Sequence, residues 1–207
     1  MKRALVACVA LALAAALAAC SRAEPAAARC TQEDAGTPVD PLLLAFLSRA
    51  RAAHHLADAH ESAGDLNAAL RPLADLVAGP LPHVRGGELA PEVREVLADT
   101  RARLADLRSR LGAFDLAIND AHAGLEQARD PNYFRGHLLE TEGLVEERRA
   151  KALDASNPSA AGAARQRAIA LLEQAMTVQS GVIESAAGKP GTADIPAASA
   201  APAPPSR

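Results

Sequence analysis

Aromatic residues are nearly absent from this chain of 207 residues: it has no Trp, one Tyr and three Phe. Aromatic and β-branched side chains favour strands, whereas the Ala, Leu and Arg that dominate here favour helices. The composition therefore predicts an all-α protein. Because most of its apolar side chains are small, we expect the helices to pack closely.

The chain also lacks an excess of basic residues, since 22 Lys and Arg face 25 Asp and Glu for a net charge of −3. Nucleic-acid binding requires a basic stripe or patch, so nucleic acid is not expected as a partner. No nucleophile elbow, P-loop or dinucleotide fingerprint occurs in the sequence. We therefore expect a protein that is not an enzyme, with no cofactor and no small-molecule substrate.

The first twenty residues have the layout of a secretory leader. Lys2 and Arg3 are followed by an uncharged apolar run over residues 4–19. This run of 16 residues is shorter than the ~20 needed to cross a bilayer core, which argues against an uncleaved anchor. An ordinary cleaved leader with a coincidental cysteine remains an alternative.

The sequence Leu-Ala-Ala-Cys at positions 17–20 resembles the lipobox of bacterial lipoproteins. The resemblance implies cleavage before Cys20 and acylation of that residue, with palmitate among the attached chains. The residue after Cys20 is Ser21 rather than Asp. By the sorting pattern of Gram-negative lipoproteins, this implies a periplasm-facing lipoprotein of the outer membrane. Cys8 lies in the leader and Cys20 carries the lipid, so Cys30 is left without an internal disulfide partner.

Residues 20–40 are small or polar and predict a flexible tether, and residues 41–186 carry the helical periodicity. Six helices are expected as three antiparallel hairpins, with starts at Asp40-Pro41, Asp65, Pro91 and Asp130-Pro131 and breaks at Gly64 and Gly112. The Ala- and Pro-rich residues 187–207 predict a disordered tail.

Two hairpins share a spacing pattern. A large residue and a small residue are followed by a turn glycine and a second small residue: Leu56, Ala57, Gly64 and Ala69, then Leu104, Ala105, Gly112 and Ala117. This pattern resembles the tetratricopeptide repeat and implies a TPR-like α-α superhelix. The two glycines are 48 residues apart against a family period of 34, and the third hairpin fits less well. An up-down helical bundle is the alternative.

In the tetratricopeptide family, the first helix of each hairpin lines a ligand-binding groove. The Leu56/Gly64 register carries those ligand-facing positions onto Arg51, His54, Asp58 and Glu61 in the first hairpin, and onto Asp99, Ala102, Asp106 and Ser109 in the second. The resemblance thus implies a net-acidic groove suited to a basic or polar peptide. The same His54, Asp58 and Glu61 share one helix face and could hold a metal, but a solvated helix face is the favoured interpretation.

These features together predict a membrane-anchored lipoprotein that acts as a protein–protein interaction adaptor in the bacterial cell envelope, with an envelope protein or peptide as its partner. A self-associating structural bundle and, less favoured, a metal-binding helical protein are the alternatives.

Replacing the lipid-bearing residue should separate the chain from the membrane. We expect Cys20→Ala to move the protein to the soluble fraction and abolish palmitate labelling, because a single thiol carries the anchor. Its helicity by circular dichroism should not change. Cys30→Ala is the matched control and should stay in the membrane fraction, whereas recovery of Cys20→Ala there would contradict the lipobox interpretation.

Overall fold

A computed structural model of the chain describes residues 40–83 and 87–188. The described ranges contain six α-helices that make up 82% of their residues, and they contain no strand. The helices are α1 Pro41–Ser62, α2 Leu66–Ala78, α3 Pro91–Arg110, α4 Phe114–Gln127, α5 Tyr133–Leu153 and α6 Pro158–Ala187. The all-α prediction is confirmed. The predicted leader, nearly all of the predicted tether and nearly all of the predicted tail lie outside the described residues.

Side-chain caps explain where four of the helices begin. The Asp40 carboxylate accepts from the amide of Leu42 at 2.8 Å, and that of Asp65 accepts from the amide of Ala68 at 2.8 Å. Asn157 caps α6 in the same way, directly before Pro158. Each cap satisfies an amide that has no partner within its own helix.

The start of the fifth helix was predicted wrongly. The sequence predicts a cap at Asp130 with Pro131 as the first helical residue, but α5 begins two residues later. The Asn132 side chain accepts from the amide of Arg135 at 2.9 Å and is the actual cap. Asp-Pro and Asn are both favourable starts, so the local pattern does not choose between them.

The turn glycines of the first two hairpins have the conformation that their positions demand. Gly64 has φ +81° and Gly112 has φ +78°, a region that other residues enter only at a cost. Beyond each glycine, a backbone amide closes the turn on the preceding helix: Asp65 donates to His60 O and Ala113 donates to Arg108 O. The expected role of both glycines is confirmed.

The hairpins stack in chain order. α1 packs on α2, α3 on α4 and α5 on α6, while α3 also contacts α1 and α2, and α5 also contacts α3 and α4. Within the described ranges, neither helix of the first hairpin packs against a helix of the third. This open order differs from a closed bundle, in which the last helices return to the first.

The core lies between each hairpin and the first helix of the next hairpin. Leu73 of α2 packs with Leu104 and Leu107 of α3, and all three side chains are fully buried. Leu138 and Val145 of α5 are buried in the same way against the second hairpin. Each interface is therefore made by neighbours in the stack.

Buried carboxylates hold the second and third hairpins. Asp120 of α4 is 1% exposed and accepts from Arg101, at 2.6 Å, and from Arg108, both on α3. Glu146 of α5 is also buried and accepts two hydrogen bonds of 2.9 Å from Arg167 of α6. Pairing with Glu146 raises the pKa of Arg167. These charge-assisted bonds compensate the cost of burying each carboxylate.

Close approach of α4 and α5 depends on Gly124. A Cβ placed on Gly124 would lie 2.5 Å from Leu138 Cδ2 and 3.1 Å from Arg101 Cβ, and Leu138 is fully buried. We expect Gly124→Ala to lower the free energy of unfolding by about 1–3 kcal/mol through overpacking.

The matched control is Gly162→Ala in α6, where nothing lies within 4 Å of the added Cβ. This change should raise the free energy of unfolding by up to ~1 kcal/mol because Ala is the better helix former. Chemical denaturation followed by circular dichroism measures both variants. If both substitutions changed the free energy of unfolding equally, helix propensity rather than the α4–α5 contact would decide the effect of Gly124→Ala.

Candidate binding groove

The first helices of the three hairpins lie side by side. His54 of α1 lies beside Thr100 of α3, and Glu61 lies beside Arg110. Ala102 of α3 likewise packs on Leu138 of α5, and Ser109 contacts Arg148. The residue numbers rise together along each pair, so the three helices run in the same direction. Most of the residues predicted to line a groove are on the exposed sides of α1 and α3, and the structure divides them into two groups.

The C-terminal halves of these helices are joined by a run of ion pairs, here called the ion-pair chain: Asp58 and Glu61 of α1, Arg103, Asp106 and Arg110 of α3, and Arg148 of α5. Arg103 donates to both α1 carboxylates, at 3.2 Å for Glu61 Oε2, and to the backbone oxygen of His54. One guanidinium thus donates hydrogen bonds to all three residues of the predicted common face, His54, Asp58 and Glu61.

The chain continues from α3 to α5. Arg110 donates to Glu61 Oε1 and lies 3.6 Å from Asp106 Oδ2. Arg148 then reaches Asp106 Oδ1 at 2.8 Å. The hydrogen bond from Arg110 lowers the pKa of Glu61 and raises that of Arg110 itself. Arginines therefore balance the acidic residues of this half, and the net-acidic surface that the sequence predicted does not extend here.

Two of the predicted groove positions face inward. Ser109 is 3% exposed, and its hydroxyl donates to Asp106 O and accepts from Arg148 at 2.6 Å. Ala102 is 1% exposed and packs against Ala128 and Leu138. Neither is placed to contact a ligand, because α5 covers this side of α3.

The N-terminal halves of α1 and α3 leave an open depression, here called the groove. Its volume is about 460 Å³. Leu47, Ala50, Val96 and Phe134 provide apolar surface, and Arg51, His54, Glu92, Glu95 and Asp99 are the polar lining residues. Arg51, His54 and Asp99 were predicted from the sequence, whereas the two glutamates and Phe134 were not. With three carboxylates and one guanidinium, the charged lining is net acidic.

His54 is the polar residue set deepest in the groove, with a side chain 22% exposed. Its Nε2 lies 3.0 Å from Thr100 Oγ1, which donates its only proton to Val96 O. Nε2 must therefore be the protonated nitrogen, and Nδ1 points to Asp99 at 4.0 Å. Burial lowers the pKa of His54 more than the nearby Asp99 raises it.

Arg103 and Arg110 are not among the residues predicted from the sequence to line the groove, although the sequence contains a signal for them. Asp99, Arg103, Asp106 and Arg110 recur at steps of four, three and four residues, so acids and bases alternate along one face of α3. Phe134 had no such signal, because its place in the groove depends on how α5 lies against α3.

The arrangement is suited to binding. A half-apolar depression with charged side chains around it can hold an extended segment of another protein. Among the described residues, no group of three or more His, Cys, Asp or Glu side chains is arranged to hold a metal ion. Within the same ranges, each helix is too short or too polar to span a lipid bilayer.

No protein-family model, curated protein sequence or solved structure matches this chain.

The buried His54 should make stability depend on pH. Because its pKa is lowered in the folded chain, the unfolded chain binds more protons between that pKa and the ordinary value of 6.5. The free energy of unfolding should therefore fall as the pH decreases through this window. His54→Gln, which keeps a donor for Thr100, should flatten this part of the profile.

His55→Gln is the control, since that side chain is 69% exposed on the same helix. Urea denaturation at a series of pH values between 5 and 8 measures the profiles. If His54→Gln leaves the slope of the free energy of unfolding against pH unchanged, the pH dependence comes from other groups.

Proposed function

We propose that this protein is a lipid-anchored adaptor of the bacterial outer membrane that uses a TPR-like helical domain to bind another envelope protein. The leader and the Leu-Ala-Ala-Cys sequence support the anchor at Cys20. The stacking order of the three hairpins supports the likeness to tetratricopeptide repeats, because each interface joins one hairpin to the next. The adaptor is not an enzyme, and its partner is a polypeptide.

The groove is the observation that carries this proposal. It combines apolar surface from α1, α3 and α5 with three carboxylates, Glu92, Glu95 and Asp99. A peptide that presents apolar side chains together with Lys or Arg would bury the former and pair the latter with the carboxylates. The ion-pair chain holds the three helices in register beside the groove, so a ligand would find the surface already formed.

Charge reversal at the groove tests the proposal. We expect Glu92→Lys/Glu95→Lys to lose the partner, because both side chains are exposed lining residues and the groove would become basic. The full chain is expressed in cells, cross-linked and purified, and the captured envelope proteins are quantified by mass spectrometry. At least a ~10-fold decrease of the specific partner is expected, the equivalent of ~1.4 kcal/mol.

Glu126→Lys is the matched control because Glu126 is an exposed acid on α4 that does not line the groove. It should leave capture unchanged. Equal capture by the groove variant and by the control would place the binding surface elsewhere. The test differs from reversal at Asp58 or Asp106, which would also break bonds to Arg103, Arg110 or Arg148 and so mix binding with stability.

A further inference from the structure

Two hydrogen-bond acceptors face each other inside the groove. Because His54 Nε2 carries the proton that it donates to Thr100, the other ring nitrogen, Nδ1, presents a lone pair. This lone pair faces a carboxylate, since Nδ1 lies 4.0 Å from Asp99 Oδ2. Among the described residues, no N–H or O–H group donates to either atom. Two acceptors cannot bond each other, so both are available to a donor from a ligand.

A donor nitrogen fits between these two atoms. Hydrogen bonds from N–H groups span about 2.9–3.0 Å between heavy atoms, so one nitrogen can reach both acceptors across their 4.0 Å separation. A Lys ammonium or an Arg guanidinium offers several N–H groups and carries the positive charge that Asp99 attracts. A hydroxyl has only one proton and cannot donate to both acceptors. The pair therefore favours a cationic side chain over a neutral one.

The surroundings of the pair suit a long side chain. The Asp99 side chain is 47% exposed, so its carboxylate can be reached from solvent. Leu47, Val96 and Phe134 line the same depression and provide apolar surface. The methylene stem of a Lys or Arg can lie on such a surface while its charged end makes polar contacts.

We propose, building on the peptide-binding function above, that His54 Nδ1 and the Asp99 carboxylate hold a Lys or Arg side chain of the bound peptide, and that they do so only while His54 is neutral. The two groups are here called the cation subsite. Protonation of His54 places a proton on Nδ1, which then donates to Asp99 itself. The imidazolium also repels a cationic side chain. Both effects close the cation subsite to the peptide.

The charges around the imidazole determine when it is neutral. Burial lowers the pKa of His54 below its ordinary value of 6.5. Asp99 and Asp58 raise this pKa, whereas Arg103 and His55 lower it further. Within the described chain, the groove lining also contains Arg51, Glu92 and Glu95, and it contains no charged residue of α2 or α5. A bound cation beside Nδ1 disfavours protonation as well, so peptide binding and proton uptake oppose each other.

Thr100 positions the cation subsite from behind. It is fully buried and does not line the groove, but its hydroxyl oxygen accepts from His54 Nε2 while its proton goes to Val96 O at 2.7 Å. This bond keeps the imidazole proton on Nε2 and the lone pair on Nδ1. Without the hydroxyl, the neutral ring gains by placing its proton on Nδ1, where it faces Asp99. Thr100 is therefore a positioning residue for the ligand.

Retention of peptide pools on the immobilised full chain measures the preference for a cation. The pools are end-blocked heptapeptides with Lys, Arg or acetyl-lysine at the central position and random uncharged residues elsewhere. At pH 7.5, the Lys and Arg pools should be retained at least ~5-fold more than the acetyl-lysine pool. Asp99→Asn should remove most of this preference. Equal retention of the three pools, with partner capture still sensitive to Glu92→Lys/Glu95→Lys, would overturn the cation subsite alone. Retention of no pool would overturn it together with the proposed function.

Acidification distinguishes the cation subsite from general attraction between charges. The ratio of Lys-pool to acetyl-lysine-pool retention should fall at least ~3-fold between pH 7.5 and pH 5.0 as His54 takes up its proton. His54→Gln keeps a donor for Thr100 but cannot be protonated in this range, so its ratio should not depend on pH. His55→Gln, the exposed neighbour, should keep the decrease of the native chain. An equal decrease in His54→Gln, or no decrease in the native chain, would overturn the proposal.

Thr100→Val tests the tautomer. It should lower the same retention ratio at pH 7.5 by at least ~3-fold, although residue 100 lies out of reach of the peptide. Thr141→Val is the matched control, because Thr141 is a buried threonine of α5 that donates to the backbone oxygen one turn earlier, His137 O. It should leave the ratio unchanged. The melting temperatures of both variants are measured in parallel. A native ratio in a folded Thr100→Val would show that Nδ1 is not the acceptor and would overturn the proposal.

Discussion

Close approach of helices through small side chains is the constraint on which the rest of this structure depends. Ala57 and Ala69 meet within the first hairpin, Ala105 and Ala117 within the second, and all four are fully buried. At Gly124, the neighbouring Leu138 occupies the space that a side chain at position 124 would need. Because an Ala buries less apolar surface than a Leu or Phe, each contact contributes little. Stability must accumulate over many such contacts along the stack.

Polar bonds between helices fix the alignment that small side chains alone would leave loose. Asp120 is held by two arginines of α3 and Glu146 by one of α6. Removing one partner of a buried pair is costly, because the other charge stays in the interior. The ion-pair chain is more exposed, and each such pair adds at most about 1 kcal/mol. Its effect is on geometry, since one guanidinium reaches two carboxylates of the adjacent helix.

The groove arises where the ion-pair chain ends. At the N-terminal halves of α1 and α3, no arginine bridges the helices, and the groove stays open between Leu47 and Phe134.

The sequence by itself determined the helices, because capping, glycine turns and apolar periodicity act over a few residues. Asp40, Asp65, Gly64 and Gly112 mark their boundaries correctly, whereas at the start of α5 the local signals of Asp130 and Asn132 compete. The common face of His54, Asp58 and Glu61 also follows from helical spacing alone.

The tertiary structure decided which of those side chains remain available. Whether a carboxylate faces solvent or a guanidinium depends on the neighbouring helix, so Arg103 closes one half of the predicted surface and α5 covers Ser109. Phe134 enters the groove for the same reason, since only the packing of α5 on α3 brings it there. Helical periodicity places a residue on a face, but the pairing of faces is set by contacts between residues some 40 to 50 positions apart, and these have no local signature.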